Sequence, residues 1–309
     1  MRPRAPQNRS MSERIAALHS LAQNCTLCPR RCGVNRLEGE RGNCGGGSWP
    51  SLMSYGPHHG EEACLSGSRG SGTLFFGHCN LHCVYCQNAD ISQDHQLATR
   101  HEKPPEVIAE AMLHVQSLGC HNVNLVSPTH NVNGIVEAIG IAQQNGLRLP
   151  IVYNTNAYDS LEVLQLLENV VDIYLPDLKY ADDDTAHRFG APPDYVSCAR
   201  AAIVEMYRQV GALEVDEAGV ARRGVLIRHL VLPNDLSGSF ETLRWIRQTL
   251  GPDVTVNLMA QYHPAYRAAA FSELQRPITS GEYRKVVDYA ASLGLKNIFV
   301  DRYALRWGD

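Results

Sequence analysis

What the chain does without narrows its function first. It has no window of 18 consecutive apolar residues, so no membrane-spanning helix is expected. It has no excess of positive charge: 28 Lys and Arg stand against 32 Asp and Glu, a formal net charge of -4. No nucleic acid or membrane surface is therefore expected as a partner. Residues 1–10 are polar and basic without an apolar core, so they read as a disordered tail and not as a secretory leader. Internal repeats and low-complexity tracts are missing. Cysteine is nearly missing from the long C-terminal part, where only Cys120 and Cys198 follow Cys86. The other eight of the ten cysteines lie between Cys25 and Cys86, in tight spacings. Such clustering without a leader favours metal or cluster ligation in a reducing cytoplasm over a disulfide framework.

The 309 residues, 44% of them apolar, suffice for one α/β barrel-sized domain with an appendage or for two ordinary domains. Residues 12–23 read as a short helix with Ser12 as N-cap and Ile15, Leu18 and Leu21 on one face. A glycine-rich knuckle with Cys25, Cys28, Cys32 and Cys44 follows, then a link carrying Cys64. From Gly72 onward, strand-like runs near 73–77, 122–127, 150–154, 171–177, 225–232, 254–259 and 297–300 alternate with helix-like segments. The helices are expected near 105–118, 132–145, 160–168, 194–211, 239–250 and 280–293. Gly119, Gly146, Gly251 and Gly294 sit where helices should end, while Asp159 with Glu162 and Thr279 with Glu282 read as capping boxes. This alternation predicts a parallel sheet with right-handed crossovers, a partial (β/α)6 TIM-like barrel behind an N-terminal cysteine-rich knuckle. The expected organisation is 1–23 tail and short helix, 24–70 cysteine-rich extension, and 71–309 barrel.

Cys79, Cys83 and Cys86 form C-x3-C-x2-C just past the first strand of that barrel, with Tyr85 before the last cysteine. Reactive groups of parallel α/β proteins gather beyond the C-terminal strand ends. Three thiolates can hold three irons of a [4Fe-4S] cube and leave the fourth open, whereas electron-transfer cubes use four cysteines. The plainer reading is a zinc site completed by His78 or His82. Cys25, Cys28, Cys32 and Cys44 supply four thiolates that suit an auxiliary cluster or structural zinc, with Cys64 as a fifth or substitute ligand; free or redox-active thiols are the third reading. A knuckle without its own core needs such a staple. Cys120 and Cys198 read as small buried residues. The run His58, His59, Glu61, Glu62 reads as a polar loop over the cluster. Arg30, Arg31, Arg36 and Arg41 read as solvated or offsetting thiolate charge.

The stretch from Cys79 to Cys86, with Tyr85 inside it, resembles the signature of radical S-adenosylmethionine (SAM) enzymes. Further stretches are similar to the pyruvate formate-lyase activating enzyme-like, PflX-type branch: Cys25 to Asn35, Glu61 to Thr73, Asn154-Thr155-Asn156, Asp177-Leu178-Lys179 and Met259 to Pro264. The resemblance implies a cube on Cys79, Cys83 and Cys86 whose open iron is chelated by SAM. One electron then releases a 5′-deoxyadenosyl radical that abstracts hydrogen from substrate, the cofactor carrying the hard chemistry. It implies that Tyr85 packs near the adenine, that Ser127 and Thr129 stand where the SAM amino group is received, and that Asn154, Asn156, Asp177 and Lys179 meet the ribose and carboxylate. His229, Asn234, Gln261 and His263 would face the substrate or adenosyl side, with His130 and His263 the candidate catalytic residues. A low-potential donor, flavodoxin or ferredoxin, is implied, with a protein or peptide as one substrate class. The competing reading is an iron–sulfur or zinc protein without radical turnover, acting as a binding or assembly module; the sequence Ser127-Pro128-Thr129-His130, in place of a Gly-Gly-Glu-like segment, is its support.

Overall fold

A computed structural model describes residues 9–306. Most of the expected tail lies outside the described residues. One sheet of nine strands organises the rest. They are β1 (Leu52–His58), β2 (Ser71–Phe76), β3 (Val123–Val126), β4 (Ile151–Thr155), β5 (Ile173–Pro176), β6 (Glu214–Val215), β7 (Ala221–Leu230), β8 (Thr255–Met259) and β9 (Asn297–Val300). The order is β1-β2-β3-β4-β5-β7-β8-β9, with β6 added antiparallel to β7. From β2 to β9 every pairing on that path is parallel. All seven expected strands are present. β1 and β6 were not foreseen. β1 carries Gly56 and Pro57 and buries only Leu52, so neither alternation nor an apolar run marks it. It runs antiparallel to β2 at the end of the sheet path, where proline is tolerated.

Alternation along the strands sorts side chains to two faces. Leu74, Leu125, Tyr153, Tyr174, Ile227 and Leu258 join Ile108, Met112, Ile135, Ile139, Ile203 and Ile246 of the covering helices in the main core. Their neighbours Val152, Ile173, Leu175 and Leu226 face the other way and pack with Cys64 and Leu65 in a separate cluster. Parallel strands covered on both faces read as continuous apolar runs, which is why they were visible in the sequence.

Helix ends follow the expected signals with two corrections. The Thr279–Glu282 capping box forms, and Gly119 and Gly146 take left-handed φ of 80° and 96°. The first helix, Met11–Gln23, is capped by Ser10 and not Ser12, because Glu13 stands three residues after Ser10 and completes the box. Asp159 is not a cap. It is buried and accepts hydrogen bonds from Thr129 Oγ1 (2.8 Å), Thr155 Oγ1 (2.6 Å) and the Tyr153 hydroxyl (3.1 Å). The segment between β5 and β7 holds two helices, Asp183–Arg188 and Tyr195–Val210, as its length implied.

The knuckle is fastened to the sheet by Arg36. This guanidinium is buried, and it donates to the carbonyls of Gly47 (2.6 Å from Nη2) and His130 and to Asn131 Oδ1 (3.4 Å). No helix among the described residues is long and apolar enough to cross a membrane.

Candidate active site

The cysteine loop leaves β2 at Gly77 and is held from several sides. Gly77 N–H donates to Ser51 O (2.8 Å) and His78 N–H to Ile91 O (3.0 Å). His82 N–H reaches Gly190 O (3.1 Å), Val84 N–H reaches Phe189 O (3.0 Å), and Arg267 N–H reaches Val84 O (2.8 Å). Gly190 takes φ 95°, and a Cβ there would stand 2.0 Å from His82 O. Only glycine fits that approach.

Within the loop, Leu81 N–H points at Cys79 Sγ (3.4 Å), and Cys86 Sγ lies 3.3 Å from Ser92 Oγ. Burial pushes the Cys79 thiol up to about 11 and that of Cys83 up to about 12. Buried free thiols therefore keep their protons, and a metal that stabilises the thiolate would displace them. No group of three or more His, Cys, Asp or Glu side chains among the described residues is gathered to hold a single metal ion. Thiolates on a cube each bind a different iron, so the loop's donor set suits a cluster.

Several expected residues converge here. Asn156 Nδ2 donates to Asn80 Oδ1 (2.8 Å) and lies 3.5 Å from Cys79 Sγ. Lys179 Nζ pairs with Asp177 Oδ2 at 2.6 Å. Burial works against the Lys179 ammonium, but Asp177 and the Cys83 thiol outweigh it and raise its pKa well above the ordinary value. The Tyr85 hydroxyl accepts from Tyr180 (2.7 Å), and its ring meets Tyr262 edge-on at 5.7 Å. Gln87 Nε2 donates to Gln261 O (3.0 Å) and lies 3.2 Å from His263 Nδ1, so His263 stands at the exposed rim beside the loop. Asn154 is nearly buried and shares the sheet face of Val152. Ser127, half-buried with φ 59°, closes β3 through a bond from its N–H to Asn154 O (2.9 Å).

Other expectations are corrected. The Thr129 hydroxyl is spent on Asp159 and Thr155, so its side chain has no free group for SAM. His130 is enclosed behind the loop, where Nε2 donates to Gly77 O (2.8 Å) and burial lowers its pKa to about 3. It supports the loop and does not line an accessible mouth. His229 faces the helix layer: it bonds Leu178 O (2.7 Å) and Ser239 Oγ (2.9 Å), and burial lowers its pKa to about 4. Asn234 caps no ligand; its N–H reaches Glu282 and its Oδ1 accepts from Arg276.

The residue that takes the inward place is Arg228, one position before His229. It donates to Glu62 from Nε (2.8 Å) and Nη2 (2.6 Å) and pairs with Glu61, while Asn257 Nδ2 donates to Glu62 Oε1 (2.6 Å). Glu61 and Glu62 thus do not cover the cysteine loop. They belong with the turn across the strand starts, where Asn122 Nδ2 donates to Leu65 O (2.9 Å). The short helix Ala63–Ser66 puts Cys64 there too, among Val152, Ile173 and Leu226, and so takes it away from the knuckle cysteines. Cys120 is buried as expected, whereas Cys198 is half-exposed beside Asp194.

A model of the radical SAM superfamily matches residues 73–235, which begin in β2 and contain the whole cysteine loop. The chain belongs to the radical SAM superfamily. It is 32% identical over 294 residues to the uncharacterized protein MJ0674 of Methanocaldococcus jannaschii, covering 93% of this chain and 80% of that one. It is 24% identical to the uncharacterized protein MJ0808 of the same organism, covering 89% and 80%. Among solved structures it is similar to a radical SAM methyltransferase from Sphaerobacter thermophilus, with TM-score 0.51 and 16% identity over 74% of this chain and 65% of that one. It also matches the FeFe-hydrogenase maturase HydG from Carboxydothermus hydrogenoformans, with TM-score 0.49 and 14% identity over 71% and 50%. The chain thus spans about half to two thirds of the length of these solved structures. At such identity the methyltransferase shows a shared fold alone. The radical SAM family implies a [4Fe-4S] cluster and SAM, and the three-thiol loop, with Cys83 buried and Cys79 and Cys86 half-buried, fits the cluster.

Proposed function

We propose that this radical SAM protein is an enzyme that cleaves SAM reductively and abstracts hydrogen from its substrate. The observation that carries the reading is the loop from Cys79 to Cys86, held at the end of β2 with Asn156 against Cys79 and Lys179 near Cys83. When bound, the cluster and SAM supply one-electron cleavage of the sulfonium to a 5′-deoxyadenosyl radical. The protein's part is ligation, orientation and exclusion of water. Cys79, Cys83 and Cys86 would hold the cluster. Asp177 and Lys179 offer a fixed ion pair at the end of β5, suited to the zwitterionic methionyl group. Tyr85 supplies an apolar wall backed by Tyr180 and Tyr262. His263 at the rim is the candidate proton-handling group.

The sequential order of parallel strands supports an open, partial (β/α)6 barrel around this site. The activating-enzyme and maturase branches are the finer readings, with a protein or peptide substrate and flavodoxin or ferredoxin as donor in a reducing compartment. The test is anaerobic reconstitution with iron and sulfide, followed by dithionite and SAM. Formation of 5′-deoxyadenosine is expected, and its absence with the cluster intact rejects the reading.

A further inference from the structure

The carboxyl of Asp159 is buried, and its three side-chain partners are neutral hydroxyls. Oδ1 accepts from Thr129 Oγ1 (2.8 Å) and from Tyr153 (3.1 Å), and Oδ2 accepts from Thr155 Oγ1 (2.6 Å). The two threonine hydroxyls also lie 3.0 Å apart. Thr129 stands just past β3, and Thr155 is the last residue of β4. A carboxyl is tolerated in the interior only with its hydrogen bonds made, and a network so completed holds its members in one arrangement. Side chains alternate along a strand, so Thr155 is gripped on the face of Tyr153 while Asn154 shares the inner face of Val152.

The turn that carries Asp159 is strained. Ala157, fully buried, takes φ 64°, a conformation that a residue with a Cβ rarely adopts. Its N–H donates to Thr155 Oγ1 (3.1 Å), and Asp159 N–H donates to Ala157 O (2.9 Å). Strain of this kind persists where the surroundings over-determine it. Here the surroundings are the other elements of the site. Asn156 Nδ2 donates to Asn80 Oδ1 (2.8 Å) and Asn80 Nδ2 to Tyr158 O (2.9 Å), which ties the turn to the cysteine loop. Asp177 N–H donates to Thr155 O (2.8 Å), and the Tyr195 hydroxyl bonds both Asn156 O (3.1 Å) and Asp177 O (2.9 Å), which ties it to the end of β5. Ser127 N–H donates to Asn154 O (2.9 Å), which ties β4 to the end of β3.

We infer that Asp159 is a positioning residue for the proposed SAM site. By gripping Thr129 and Thr155 from behind, it fixes the ends of β3 and β4 against the cysteine loop, so that residues 127–129, Asn154 and Asn156 present one surface to the cofactor. Asp159 itself touches no cofactor and acts through the two threonines. Their hydroxyls are the handles by which the segments are held, and the residues beside them do the binding. The inference rests on the proposed radical SAM reading, to which it adds the group that sets the geometry of the binding segments.

The test uses the full chain, reconstituted anaerobically and titrated with SAM in a calorimeter. Asp159→Asn keeps the shape but replaces one acceptor oxygen by an amide that faces a threonine hydroxyl. The Kd for SAM should rise about tenfold, while iron content and circular dichroism stay at the wild-type level. Kinetics of 5′-deoxyadenosine formation should split the same way, with KM for SAM up about tenfold and kcat within about twofold. Thr129→Val removes the β3 handle alone and should raise the Kd by about threefold. If Asp159→Asn loses iron or does not fold, Thr129→Val carries the same test. Wild-type SAM affinity in the variants, or a fall in kcat at unchanged KM, overturns the inference. A wild type that binds no SAM with its cluster intact rejects the radical SAM reading and this inference with it, whereas a wild type that binds and variants that bind equally well reject the inference alone.

Discussion

Lys179 Nζ lies 2.6 Å from Asp177 Oδ2, and both side chains are half-buried at the end of β5. The pair is close enough to the cysteine loop for Lys179 to act on the Cys83 thiol. Asp177→Asn removes the countercharge and keeps the shape. SAM-dependent 5′-deoxyadenosine formation should fall by about tenfold, or ~1.4 kcal/mol. Iron content, measured in parallel, should stay at the wild-type level; loss of iron would mean that the pair holds the loop and not the ligand.

Gly190 tests how the loop is held. Gly190→Ala puts a methyl group where His82 O stands 2.0 Å away, on a backbone at φ 95°. The cysteine loop must move, since the obstacle is backbone. Iron uptake after reconstitution should drop severalfold while circular dichroism stays native. Gly219→Ala has open space around it and should keep its iron.

Arg228→Met should be among the most damaging changes to stability. Glu61 and Glu62 are buried and would lose their countercharge, at a cost of about 3–5 kcal/mol. Urea unfolding measures it. Burial raises and Arg228 lowers the Glu62 pKa, and the net direction is down. Its contribution is therefore present above the ordinary carboxylate range and fades as pH falls through it. The gap between wild type and Arg228→Met should narrow at acid pH.

His229 provides a second pH signature with the sign set by burial. Its folded pKa is lowered from 6.5 to about 4. The unfolded chain takes up the proton first, so stability is full above pH 6.5 and falls between 6.5 and 4, by about 3 kcal/mol for this group. His229→Asn should flatten that part of a melting-temperature profile, at the expense of lower stability at neutral pH. An unchanged profile would show that His229 does not stay neutral in the fold.

Much of this architecture was legible because apolar parallel strands and capped helices each carry a local signal. The Cys79 loop was legible too, since spacing and strand context agreed. What failed depends on single-residue parity or on distant partners. Arg228 and His229 adjoin, and only the register Arg228 with Asn257 decides which one turns inward. Thr129 looked available until Asp159, 30 positions away, claimed its hydroxyl. Cys64 sits in sequence between the two cysteine groups, yet one turn of helix turns it into the floor of the sheet. Asn80 carried no signal beyond its place inside the triplet.

The turn from Glu61 to Gly67 makes the interior of the strands a blind alley. Cys64 and Leu65 pack against Val152 and Ile173, and Glu62 ties Arg228 to Asn257. In the proposed enzyme, molecules bound at the cysteine loop would then arrive and depart from the opposite end of the strands, one behind the other.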